Sequence, residues 1–235
     1  MSEEMKRTGK RRIGLFGGTF NPIHLGHLRG AEEIREAFRL DGVIFIPSAI
    51  PPHKAMEEII DARHRLEMVR LAIASNPYFS ISDIELSRSG KSYTIDTLRH
   101  FRERCADSLF FILGGDAFVE IETWKDFQNL FTLCHFIVMA RPGFQKTPLA
   151  NRLPGALSSA FQPDVEAMTW VHSSGHRLVF KEISFLDISS TKVRELIERG
   201  ESVRYLIPPE TETYIHQHGL YRRREGMGDF SAQKG

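Results

Sequence analysis

The chain has only two cysteines in 235 residues, Cys105 and Cys134, far apart and in no Cys-x-x-Cys or Cys/His pattern. That excludes a disulfide-built scaffold and a cysteine-rich metal site, and makes a reducing cytoplasm the expected compartment. No apolar run approaches the length of a membrane span. Met1 to Arg12 is polar and basic with no apolar stretch, so no secretion signal is expected there. An excess of either charge is also lacking. The 31 basic residues face 30 acidic ones, which argues against bulk electrostatic binding of nucleic acid. A dinucleotide fingerprint is missing, because Gly17-Gly18-Thr19-Phe20-Asn21-Pro22 lacks the Gly-x-Gly-x-x-Gly spacing. Ser89-Gly90-Lys91-Ser92 is only the tail of a P-loop, since Glu85 stands where its first glycine belongs. No serine or cysteine nucleophile with an adjacent base is visible, and no repeat or linker separates two domains.

What is present centres on Ile13 to Leu28. A short apolar strand, Ile13 to Phe16, leads through Gly17-Gly18 into Thr19-Phe20-Asn21-Pro22-Ile23-His24-Leu25-Gly26-His27. Leu25, Leu28, Ala31, Ile34 and Phe38 then recur at helical spacing, which puts His24 and His27 at a helix N-terminus. Unpaired N–H groups and the positive dipole end favour an anion there. Glycines without a Cβ are expected to take unusual dihedrals and admit that anion closely. Imidazoles three residues apart share a face and can donate to the same phosphate oxygens. The two histidines also suit a plain helix cap, or a zinc site whose third ligand is not at a familiar spacing.

The rest of the chain alternates strand and helix. Val43 to Pro47 reads as a second strand, followed by Ser48-Ala49-Ile50-Pro51-Pro52-His53-Lys54. Ala62, Leu66, Val69 and Ile73 mark a helix, and Phe79 to Leu86 reads as alternating strand whose phase shift at Asp83 suggests a bulge or an edge. Thr94 is expected to cap a helix bearing Ile95 and Leu98. Leu109 to Leu113 is a buried strand running into Gly114-Gly115-Asp116, where Asp116 suits either a helix cap or the hydroxyls of a ribose. Cys134 to Ala140 and Leu178 to Ile183 are further strands, with residues 144–177 between them expected as a peripheral insertion carrying one helix. Ile188-Ser189-Ser190-Thr191-Lys192-Val193-Arg194 caps a helix and offers a second anion site. A last helix covers 208–218. Residues 1–11 read as a flexible leader, 12–220 as one domain and 221–235 as a disordered tail. Sites that repeatedly follow strands imply an α/β fold, a doubly wound parallel sheet with its ligand cleft at the carboxyl edge.

The Gly-Gly-Thr-Phe-Asn-Pro-x-His-x-Gly-His run from Gly17 to His27 resembles the signature of the Rossmann-like nucleotidyltransferases, most closely the bacterial nicotinate-nucleotide adenylyltransferases. Ser92-Tyr93-Thr94-Ile95-Asp96-Thr97-Leu98, Glu122-Thr123-Trp124 and Ile188-Ser189-Ser190-Thr191 followed by Arg194 match the same family in order, over about residues 12–220. Asn21 stands where many members carry aspartate. The resemblance implies transfer of the adenylyl group of ATP to nicotinate mononucleotide, giving nicotinate adenine dinucleotide and pyrophosphate. It implies His24, His27, Lys54 and Arg194 as catalytic donors. It assigns ATP to Gly17, Gly18, Thr19, Phe20, His24, His27, Gly114, Asp116, Ile188, Ser189, Ser190, Thr191 and Arg194. The nicotinate nucleotide falls to Thr19, Asn21, His53, Lys54, Tyr93, Thr94, Trp124 and Lys125. Mg²⁺ is expected to arrive with ATP, held by phosphates and water with no named protein ligand. The partners implied are these small molecules, and the sequence is also compatible with a homo-oligomer. A sister transferase using nicotinamide mononucleotide, phosphopantetheine or a cytidylyl donor would share the His-x-Gly-His core.

Overall fold

The computed structural model describes residues 10–51, 59–105, 107–143, 153, 155–167, 169–184 and 186–222. The described residues form one sheet of eight strands in the order β3-β2-β1-β4-β5-β8-β7-β6. Its strands are β1 (Arg12–Gly18), β2 (Gly42–Pro47), β3 (Phe79–Ile81), β4 (Ser108–Gly114), β5 (His135–Ala140), β6 (Phe161–Asp164), β7 (Thr169–His172) and β8 (Arg177–Glu182). The first six in spatial order are parallel, while β6 pairs antiparallel with β7 and β7 with β8.

Strand alternation feeds two separate cores. Leu109, Phe111 and Leu113 of β4 point to one face, where they meet Leu15, Phe136 and Val138. Phe110 and Ile112 point to the other, beside Phe16, Phe45 and Ile137. Helix α3 (Thr94–Arg104), the short α4 (Gly115–Val119) and α5 (Phe127–Leu130) cover the first face through Ile95, Leu98, Phe118 and Leu130. Helices α1 (Leu25–Ala37), α2 (Ala62–Ile73), α6 (Ser190–Glu198) and α7 (Pro209–Gln217) cover the second through Ala31, Ile34, Met68, Val69, Val193, Ile197 and Ile215. From β1 the chain moves outward to β2 and β3, then returns past β1 to lay down β4. The reversal leaves a crevice beyond the carboxyl ends of β1 and β4.

The doubly wound parallel sheet runs from β3 to β8, and β7 and β6 extend it antiparallel beyond β8. Two expectations need correction. The segment expected as an insertion with one helix instead supplies β6, β7 and a single helical turn, Gly155–Leu157. Pro163 is tolerated because β6 is the edge strand, where a missing N–H breaks no central ladder. Residues 83–87 are a turn rather than strand, closed by Leu86 and Ser87 N–H donation to the Asp83 carbonyl at 2.8 and 3.0 Å. The alternation there is real, but it turns Glu85 inward instead of lengthening β3.

Candidate active site

Two cavities open at the crevice. The smaller, about 270 Å³, is lined by Gly17, Gly18 and Thr19 and by Ser48, Pro51, Glu85 and Ser92. Tyr93, Thr94, Trp124 and Lys125 complete it. The larger, about 1100 Å³, is lined by Thr19, Phe20, Asn21, His24, His27 and Asp116, with Ile188 to Thr191 and Arg194 opposite. Thr19 and Gly114 belong to both. Two molecules seated here would meet at the end of β1.

The loop after β1 has its shape for a different reason than expected. Gly17 and Gly18 are the last residues of β1, paired with Ile46 and Pro47, and neither has a positive φ. They are small because their own surroundings leave no room. A Cβ on Gly18 would lie 2.8 Å from the Phe20 ring, and one on Gly17 3.2 Å from Phe111. The left-handed backbone falls on Phe20 itself, with φ 48°. Its ring is thereby buried, edge-on to Phe16 at 5.5 Å and to His27 at 5.1 Å.

His24 is the N-cap of α1, in extended backbone, and His27 is its N3 residue. The His24 N–H donates to His27 Nδ1 at 3.2 Å, and the two rings stack at 3.6 Å. With Nδ1 accepting, a neutral His27 carries its proton on Nε2. The His24 side chain faces the N3 amide in capping-box fashion, but its buried Nδ1 makes no hydrogen bond within ordinary limits. Burial pushes the His24 imidazole down to about 4, so it is neutral at physiological pH. Gly26 fits between for lack of space: a Cβ there would lie 3.0 Å from His24 Nδ1.

The second anion site faces the first. Ser189 caps α6, its hydroxyl accepting from the Lys192 N–H at 3.1 Å. The Ser190 hydroxyl donates to the Pro22 carbonyl at 2.8 Å, and Arg194 donates to the Asn21 carbonyl at 3.0 Å. Asp116 lies on α4, whose N-cap is Gly114, so the capping role considered for Asp116 does not hold. Its exposed carboxylate pairs with Arg141 at 3.2 Å at the cavity mouth. In the smaller cavity Trp124 stands edge-on to Phe111, and Lys125 lies 4.4 Å above the Tyr93 ring while paired with Asp96 at 3.2 Å. Tyr93 is the N-cap of α3 and Thr94 its first helical residue, so Thr94 is not the cap. His53 and Lys54 lie outside the described residues.

Sequence reasoning missed Arg65, Glu85, Ser92 and Tyr221. Arg65 is buried on α2 in register with Val69 and Ile73, and an arginine on an apolar stripe was the available signal. Glu85 accepts from the Thr97 hydroxyl at 2.7 Å, and desolvation raises its carboxyl above the usual range. Tyr221, which the sequence placed in the tail, is largely buried and donates to Asn21 Oδ1 at 2.9 Å.

Residues 15–196 match the cytidylyltransferase-like family model. A "Probable nicotinate-nucleotide adenylyltransferase" of Citrifermentans bemidjiense is 48% identical over 89% of this chain and 98% of its own length. The chain belongs to the nicotinate-nucleotide adenylyltransferase family. A second member, from Geobacter sp. strain M21, is 49% identical over the same shares of both chains. The fold is shared with the Plasmodium falciparum nicotinic acid mononucleotide adenylyltransferase solved in complex with NaAD, with a TM-score of 0.67. That match covers 90% of this chain and 97% of the other at 21% identity. Among the described residues no helix is long and apolar enough to cross a membrane.

Proposed function

We propose that this chain joins ATP and nicotinate mononucleotide to give nicotinate adenine dinucleotide and pyrophosphate. The observation that carries the reading is the pair of cavities sharing Thr19 and Gly114, with the stacked histidines on the wall of the larger. The larger cavity takes ATP. Asp116 accepts from the ribose hydroxyls, and the free amides of α6 with Arg194 bind phosphate. The smaller cavity takes the nicotinate nucleotide, its pyridine ring between Tyr93 and Trp124. Thr19 contacts both, and Asn21, His53 and Lys54 serve the nucleotide phosphate.

The nucleotide's 5′-phosphate oxygen attacks the α-phosphorus of ATP. One P–O bond forms there, and the bond to the bridging oxygen of pyrophosphate breaks with its electron pair. The attacking oxygen is already ionised at neutral pH, so the protein need not remove a proton. Its work is alignment and charge stabilisation. Neutral imidazoles suit this role, since an Nε2–H donates to phosphate oxygens without first gaining a proton.

Magnesium enters as part of the Mg-ATP substrate. Among the described residues no group of three or more His, Cys, Asp or Glu could hold it. A donor set of phosphate oxygens and water fits the small ion's octahedral demand, and the ion would offset charge on the triphosphate.

Pyrophosphate release with Mg-ATP, comparing nicotinate mononucleotide with its amide, tests the reading. Strong preference for the acid supports it. Equal use of both would make the enzyme dual-specific and weaken the role of the Trp124 region as carboxylate reader. Release with neither would turn attention to phosphopantetheine or CTP as substrates.

A further inference from the structure

Arg65 is the least expected residue beneath this site. Its side chain is 1% exposed, yet all three of its hydrogen bonds go to backbone carbonyls. Nε donates to Ile60 at 3.1 Å, one terminal nitrogen to Thr19 at 2.7 Å and the other to Ala49 at 2.9 Å. Among the described residues no carboxylate pairs with it directly. Asp61 and Glu85 act on it only at a distance. Burying a guanidinium without an anion is costly, and an apolar side chain of similar volume would fill the space at less expense. A stabilising role alone therefore accounts poorly for it.

The carbonyls explain the choice. Thr19 directly follows β1, and Ala49 lies two residues beyond β2. These loops leave the sheet side by side, joined by the Ser48 N–H to the Gly18 carbonyl at 2.9 Å, and both line the smaller cavity, one through Gly17 to Thr19 and the other through Ser48 and Pro51. The planar fork fixes both carbonyls at one spacing. On its other edge the same loop is held by Ser92, whose hydroxyl accepts from the Ala49 and Ile50 amides at 2.9 and 3.3 Å. The Ser92 N–H in turn donates to the Ile50 carbonyl at 2.9 Å. The wall that leads into Pro51 is thus gripped by its carbonyl on one edge and by its amides on the other.

We propose that Arg65 is a positioning residue that sets the shape of the nicotinate-nucleotide cavity by tying the Thr19 and Ala49 carbonyls, on two adjacent loops of its lining, to one guanidinium. The proposal rests on the assignment of that cavity to the mononucleotide. It distinguishes the two substrates, because the loop held at Ala49 reaches only the smaller cavity, through Ser48 and Pro51, while Thr19 is the one residue bonded to Arg65 that also lines the ATP cavity. Lysine cannot replace it, since one ammonium cannot reproduce a fork with fixed directions.

The test is steady-state kinetics on R65K and R65A beside the wild type, with thermal melting of each. For R65K we expect the KM for nicotinate mononucleotide to rise at least ~10-fold, the KM for ATP to stay within ~2-fold and kcat to fall. Added guanidinium ion should restore R65A toward wild type, whereas ammonium should not. A merely structural role predicts something else: a lower melting temperature, less active protein and both KM values unchanged. That result, or equal shifts in both KM values, overturns the proposal. Should R65A fail to fold, R65K and R65Q carry the same comparison. If the wild type used a different mononucleotide acceptor, the reaction assignment would fall, and the same split read on that acceptor would still decide the role of Arg65.

Discussion

The His24 amide donates to Nδ1 of His27 at 3.2 Å while the two imidazoles stack 3.6 Å apart. One backbone bond thus fixes the tautomer of the second ring, and stacking fixes the plane of the first. Two protonated imidazoles at this distance would repel, and His24 is already hard to protonate because it is buried.

Stability should therefore fall in mild acid. His24 titrates at about 4 when folded, against about 6.5 when unfolded, so the unfolded chain binds the proton first. The stabilisation is complete above pH 6.5 and is lost as pH falls toward 4. For His24 alone it amounts to roughly 3 kcal/mol by linkage. His135, lowered to about 4 by burial and by neighbouring His176 and arginines, acts in the same direction. Denaturant melts between pH 7 and 4.5 should show the decline, and H24Q should remove the share of His24 while leaving that of His135.

Replacing either histidine by alanine should lower kcat at least ~100-fold if, as proposed, each donates to the reacting phosphates. Single-turnover rates on folded protein check this. Near-normal rates in both variants would remove the pair from the mechanism.

Gly26→Ala should separate activity from stability. Alanine favours the helix by about 1 kcal/mol over glycine, so melting should hold or rise. Its Cβ would press on His24 Nδ1 at 3.0 Å and displace the ring. Turnover should then drop ~10-fold or more by analogy with a misplaced catalytic group. Unchanged kcat with higher stability would show that the ring has slack.

Asp116→Asn should raise the KM for ATP about 10-fold through the loss of a charged acceptor, and leave the KM for the mononucleotide alone. Because the side chain is 90% exposed, the melting temperature should not change noticeably. Kinetics at fixed saturating mononucleotide measure it.

Only two tryptophans are present, Trp124 and Trp170. Trp170 is buried with no partner on Nε1, so W170F leaves no new polar group unsatisfied. Fluorescence of that variant reports on Trp124 alone. It should be quenched by nicotinate mononucleotide and not by ATP. Quenching by ATP alone would reverse the assignment of the two cavities.

Most of this site was legible in the sequence because its groups are short-range features. His24, Gly26 and His27 sit within one helical turn, and Ser189 to Arg194 within another. What stayed hidden joins distant positions. Arg65 meets Thr19 across 46 residues, and Ser92 meets Ala49 across 43. Local pattern puts Arg65 on the apolar stripe of α2, but only the folded neighbourhood shows which carbonyls it holds. The glycine pair was read for backbone freedom, yet its constraint is the Phe20 ring, whose left-handed backbone no spacing rule reveals. Residues 144–177 misled because three prolines and a glycine obscured two short strands that need β8 as a template.

The hydrogen bond from Tyr221 to Asn21 spans 200 residues. On a ribosome, the Gly-Gly-Thr loop emerges 200 residues ahead of the brace that Tyr221 supplies. Arg194 and Ser190, which hold the same loop, also arrive late. A partly synthesised chain can form β1, α1 and β2 without owning a finished site. The loop therefore gains its brace only once Tyr221 is made, and a chain cut shortly before that residue would keep the whole sheet and an unbraced loop.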